Sequence, residues 1–61
     1  MANKVVGRVF VRSDGSEWRV ISVTRTSDGF LLGTAVLLDP DTGDELQDES
    51  GLPVLHSVLL G

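Results

Sequence analysis

The residues of this chain that could do chemistry are few, and their spacing decides which chemistry is open to them. His56 is the only side chain whose ordinary pKa suits proton transfer near neutrality. Ser57 follows it directly, so on a strand its hydroxyl points to the opposite face and is out of reach as a histidine-activated nucleophile. Ser13, Ser16, Ser22, Ser27 and Ser50 fall mostly at turn positions and sit in no nucleophile motif. The chain reads as non-enzymatic. It has no cysteine, and a single histidine cannot build a multi-histidine zinc site.

The densest functional signal is acidic. Asp39, Asp41, Asp44, Glu45, Asp48 and Glu49 place six carboxylates within eleven residues. Clustered carboxylates are the hard oxygen ligands that Ca²⁺ takes. Yet the calcium loop of an EF-hand, counted from Asp39, fails where Gly43, Asp44 and Ser50 stand. No metal and no other cofactor is expected. The run reads either as a solvated acidic hairpin or as a patch that docks on a basic protein partner, in the sharper version by imitating a phosphate backbone.

The cations form a second constellation. Lys4, Arg8 and Arg12 recur every fourth residue, and on a strand they share a face with Val6 and Phe10. Arg19 and Arg25 could extend that face across a hairpin. Cations around an aromatic ring are what single-stranded nucleic acid requires, for phosphate and for stacking. The alternative reading of function is therefore a nucleic-acid-binding face of Lys4, Arg8, Phe10, Arg12 and Arg19. Its plain counterpart is a solvated face whose arginines pair with Asp14, Glu17 or another copy's acidic turn. Trp18 and Phe30 flank the second apolar segment, and Trp18 reads as the main core residue.

These side chains must be positioned by strands. Gly15, Gly29 and Gly43 lie fourteen residues apart, each at or near an Asp-Gly turn signal, with a further turn at Glu49-Ser50-Gly51. That pitch is a strand plus a tight turn, repeated as an antiparallel meander. The expected strands are residues 5–12, 17–25, 30–38, about 44–47, and a closing strand within 52–60, where a short helix is the competing assignment. In residues 17–25 the alternation slips, so a bulge near Val20-Ile21 is expected to bring Trp18, Val20, Ile21 and Val23 to one side. Gly33 predicts a bend or a close backbone approach. Asp39 to Asp44 reads as a type I turn with Pro40 first and Gly43 left-handed. The arrangement resembles an SH3-like or other small β-barrel over most of the chain. The resemblance rests on strand number and turn placement, and it implies closure that hides the sheet edges.

The wider frame is a single domain of 61 residues, near the lower limit for folding unaided. Residues 30–38 and 52–60 are apolar on both faces, whereas a small barrel has one inside. One register of Leu31, Ala35 and Leu37 or of Leu32, Val36 and Leu38 is thus expected outward, with several of Leu52 to Leu60. This surplus predicts a homo-oligomer. Charge is polarised as well: residues 1–30 hold all five cations and three anions, residues 31–61 six anions and no cation. No secretory signal or membrane-spanning run is read, and cysteine-free chemistry fits a cytoplasmic protein. The functional expectation is a small regulatory or protein-binding module, an inhibitor or adaptor of the kind compact phage or plasmid genomes encode. Its contact surfaces are the acidic turn and the outer aliphatic residues.

Overall fold

The computed structural model describes residues 5–60. They form four strands and no helix: β1 (Val9–Val11), β2 (Glu17–Arg25), β3 (Leu31–Leu38) and β4 (Leu55–Leu59). Each strand pairs antiparallel with the next, in the order β1-β2-β3-β4. The all-β meander implied by the glycine spacing is the observed architecture. The sheet is open, with β1 and β4 as its two edges. No helix among the described residues is long and apolar enough to cross a membrane.

Strand β1 is shorter than the alternation of residues 5–12 suggests. The Arg8 N–H turns back to the Val5 carbonyl, while the Gly7 N–H reaches the Val20 carbonyl and the Val20 N–H the Arg8 carbonyl. Two residues thus oppose one, and regular pairing begins only at Val9. Lys4 lies outside the described residues.

The bulge expected in β2 is present. Val20 pairs with Ala35 and Ser22 with Thr34, so Ile21 is the extra residue. The consequence differs from the expectation in one respect. Trp18, Val20 and Val23 come to one face, through partners Leu37, Ala35 and Gly33, whereas Ile21 is left exposed. A bulged residue has no cross-strand partner to hold it inward.

That face, called inner here, carries Phe10, Trp18, Val20 and Val23 from β1 and β2. From β3 and β4 it takes Leu31, Gly33, Ala35, Leu37, His56 and Val58. Trp18, Val20 and Ala35 are buried. Gly33 marks a close approach, as expected: a Cβ built there would lie 2.9 Å from Leu60 Cδ1 and 3.3 Å from Val58 Cγ2. The outer face tells against the simplest form of the aliphatic surplus. Leu32 is exposed, but Val36 and Leu38 are 1% and 2% exposed. Their cross-strand neighbours are Arg19 with Leu55 and Glu17 with Glu45, whose long side chains flank them. Uncovered aliphatic side chains sit on β4 and before it, at Leu52, Leu55 and Leu59, and on β1 at Val9 and Val11.

Residues 52–60 yield a strand rather than a helix. About nine residues make a poor isolated helix, and the free edge of β3 offers paired hydrogen bonds from Leu32 to Val36. Because β4 takes that edge, the segment expected at 44–47 finds room only beside Leu37 and Leu38. It reduces to a Glu45–Leu38 bridge and a Leu46 N–H bond to the Leu37 carbonyl.

Candidate functional site

Between Leu38 and β4 the chain makes an excursion over residues 39–53 that carries all six carboxylates of the acidic run. Its first turn carries the left-handed glycine that was expected. The Asp39 N–H donates to the Asp44 carbonyl at 2.8 Å, and the Gly43 N–H to the Asp39 carbonyl at 2.7 Å. Gly43 has φ +77°. The Asp39 side chain accepts from the Asp41 N–H at 2.8 Å, and Thr42 Oγ1 from the Asp44 N–H at 3.2 Å.

The second turn is organised by Asp48. Its Oδ1 accepts from the Ser50 N–H at 2.8 Å and the Leu52 N–H at 3.1 Å, and its own N–H donates to the Leu52 carbonyl at 2.7 Å. Short acidic side chains that cap their own turns are a local reason for aspartate at these two positions. Asp39 and Asp48 therefore build the excursion. Asp41, Asp44 and Glu49 are exposed, and their carboxylates make no hydrogen bond or ion pair within the described residues. Glu45 Oε2 lies 3.7 Å from Arg19 Nη1, and Arg19 Nη2 donates to the Gly43 carbonyl at 3.3 Å. With both partners over a third exposed, that pair is worth at most about 1 kcal/mol.

The expected basic face is divided by the register. Arg8, Phe10 and Arg12 alternate on one side of β1. Arg19 pairs with Val9, so it occupies the outer face, opposite Phe10, and is engaged with the acidic excursion. Arg25 reaches the inner face because of the bulge, but at the far end of β2, where its Nη1 donates to the Gly29 carbonyl at 3.3 Å. Arg12 lies over Trp18, its guanidinium carbon 5.9 Å from the ring centroid. His56 packs on the same indole with centroids 5.5 Å apart and planes at 46°. Trp18 is thus closed off by its own chain and offers no platform to a base.

The histidine–tryptophan contact and the polar chain beneath it were not anticipated from the sequence. Trp18 Nε1 donates to Ser16 Oγ at 2.8 Å, and Ser16 Oγ donates to Asp14 Oδ1 at 2.6 Å. Asp14 also accepts from the Ser16 N–H at 2.9 Å. The spacing Asp14-x-Ser16-x-Trp18 was the available signal, since alternate residues leaving a turn share a face.

The Ser16 hydroxyl, then the Ser16 N–H, hold the Asp14 carboxyl below its ordinary value of 3.8, with Arg12 adding to the effect and a slight desolvation opposing it. A lowered folded pKa means that this stabilisation is present above 3.8 and is lost as pH falls through the folded value. Ser16→Ala should therefore raise the Asp14 pKa in a carboxyl NMR titration. It should also cost about 1–2 kcal/mol, because the nearly buried indole N–H loses its acceptor. An unchanged Asp14 titration would show that the serine does not hold the carboxylate.

Among the described residues no cleft or cavity is formed, and no three acidic or histidine side chains converge to hold a metal ion. What the described surface presents is an exposed acidic excursion and two sheet edges. No protein-family model matches the chain, and neither a curated protein nor a solved structure gives a match.

Proposed function

We propose that this chain is a non-enzymatic recognition module that docks on a basic protein surface through residues Asp39 to Glu49. The exposed leucines 32, 55 and 59 form its second contact surface. One observation carries the reading: turns capped by Asp39 and Asp48 hold Asp41, Asp44 and Glu49 outward, and no cation among the described residues meets them. Fixed, unneutralised charge steers encounter with a partner of opposite sign and costs little ordering entropy on binding. The nucleic-acid alternative is weaker because Arg12 and Arg19, two of its described residues, do not join Arg8 and Phe10 in one free face. Arg19 faces away from Phe10, and Arg12 is spent on Trp18.

An arginine-rich peptide and a single-stranded oligonucleotide separate the two. The peptide should bind with an affinity that falls steeply between about 50 and 200 mM salt. The triple change Asp41→Asn, Asp44→Asn and Glu49→Gln should weaken it roughly tenfold or more, about 1.4 kcal/mol. Arg8→Gln with Arg12→Gln should leave it unchanged. Oligonucleotide binding at about 50 mM salt that the arginine changes abolish would replace this reading with the alternative.

A further inference from the structure

Both edges of the sheet are open, and they differ in chemistry. In the β3–β4 ladder the Leu37 N–H donates to the Val54 carbonyl and the Leu60 N–H to the Leu31 carbonyl. Alternation then assigns His56 and Val58 to the bonds with β3, and turns the N–H and C=O of Leu55, Ser57 and Leu59 away from it. Among the described residues, those three form an unpaired backbone edge. Their side chains share the outer face with Leu32, and Leu55 and Leu59 are 52% and 67% exposed.

Natural edge strands are blunted by lysine, by inward charge, by proline or by a covering element. β4 has none of these: Leu55-His56-Ser57-Val58-Leu59 holds no acidic residue, lysine, arginine or proline. The other edge does carry charge. β1 is enclosed by Arg8 and Arg12, and antiparallel pairing of two copies about Phe10 would set Arg8 against the partner's Arg12.

We infer that β4 is a homodimerisation edge, pairing antiparallel with β4 of a second copy about a two-fold axis at Ser57. The strand is self-complementary about that point. Leu55 meets the partner's Leu59, Leu59 the partner's Leu55, and Ser57 its own equivalent. These are the three residues whose backbone groups are free, so each exchanges both its hydrogen bonds across the axis. The pairing places two leucine–leucine contacts on the outer face beside Leu32, one of two uncovered aliphatic areas at the sheet edges, the other being Val9 and Val11 of β1. It makes one continuous sheet through both copies and removes β4 as an edge. A contact of β4 with β1 of the next copy would be head-to-tail and would propagate as a filament; the two-fold pairing closes.

The inference is independent of the acidic excursion, whose carboxylates lie outside β4. In a chain without cysteine, Ser57→Cys is a clean reporter. Residues in a hydrogen-bonded antiparallel pair have Cα atoms about 5.5 Å apart, within the range a disulfide spans. Mild oxidation of Ser57→Cys should give a covalent dimer, whereas Leu59→Cys should not cross-link, because its opposite residue is the partner's Leu55. Sedimentation at tens of micromolar should show a doubled mass for the unaltered chain. Ser57→Lys, which sets two ammonium groups at the axis, should halve that mass with the strand circular dichroism retained. A monomeric unaltered chain, a Ser57→Lys protein that stays doubled, or cross-linking through Phe10→Cys instead of Ser57→Cys would each overturn the assignment.

Discussion

Replacing Trp18 with alanine should remove a large part of the folding stability of the chain. The expectation comes from setting one side chain against the size of the whole. A domain of this length has a stability of roughly 3–9 kcal/mol. Truncating a buried aromatic to alanine costs about 3–5 kcal/mol, from lost transfer energy and from the cavity left behind. Only Trp18, Val20, Ala35, Val36 and Leu38 are buried among the described large or aliphatic apolar residues, and Trp18 is by far the largest. It is also where separate elements meet. Phe10 and Leu37 are its cross-strand neighbours, Arg12 and His56 lie against its ring, and Ser16 accepts its N–H. Its loss therefore detaches β1 and the 12–16 turn along with the core. Trp18→Phe keeps a ring but gives up the Ser16 bond, and should cost about 1–2 kcal/mol. At this size that lowers the melting temperature by about 4–8 °C per kcal/mol. Far-UV circular dichroism through a denaturant titration checks both. A cooperative transition for Trp18→Ala at the unaltered midpoint would mean that the stability resides elsewhere, with a strand-edge partner as the first place to look.

The strand order was legible because turns and strands are written in local chemistry. An aspartate that caps its own turn and a glycine that accepts positive φ do not depend on distant residues. The turn glycines Gly15, Gly29, Gly43 and Gly51 all have positive φ. The β2 bulge was legible too, since Trp18, Val20 and Val23 can share a face only if one residue is skipped. Which residue is extruded was not legible. That depends on the pairing of Val20 with Ala35 and of Ser22 with Thr34, a long-range fact. The same limit explains the outer face. Val36 and Leu38 look like surplus in sequence and are buried in the fold, where the long-range register sets Arg19 and Glu17 beside them. Of the candidate site, the acidic excursion was read directly from composition. The division of the basic face was not, because it follows from the register that pairs Arg19 with Val9. Closure into a barrel was inferred from strand number and turn placement, and neither fixes whether the first strand meets the last.

Gly43→Val is the second large effect expected, and it separates geometry from charge in the acidic excursion. A Cβ at Gly43 would meet nothing within 4 Å, so crowding is not the obstacle. The obstacle is φ +77°, where an L-residue pays about 1–2 kcal/mol and a β-branched one is a strong outlier. Leaving that conformation also removes the Gly43 N–H bond to the Asp39 carbonyl and the Arg19 bond to the Gly43 carbonyl. The total should be about 2–3 kcal/mol, read as a lower denaturation midpoint. Gly43→Asn, which tolerates the left-handed region, should lose clearly less. Equal losses for valine and asparagine would show that the backbone angle is not the cause. The valine variant also keeps every carboxylate. If recognition requires the carboxylates to be held in place by the 39–44 turn, its affinity for the arginine-rich peptide should fall roughly tenfold, about 1.4 kcal/mol, in protein that remains folded. Undiminished affinity would mean that the peptide responds to diffuse negative charge, and the excursion would then be a solvated turn rather than a docking surface.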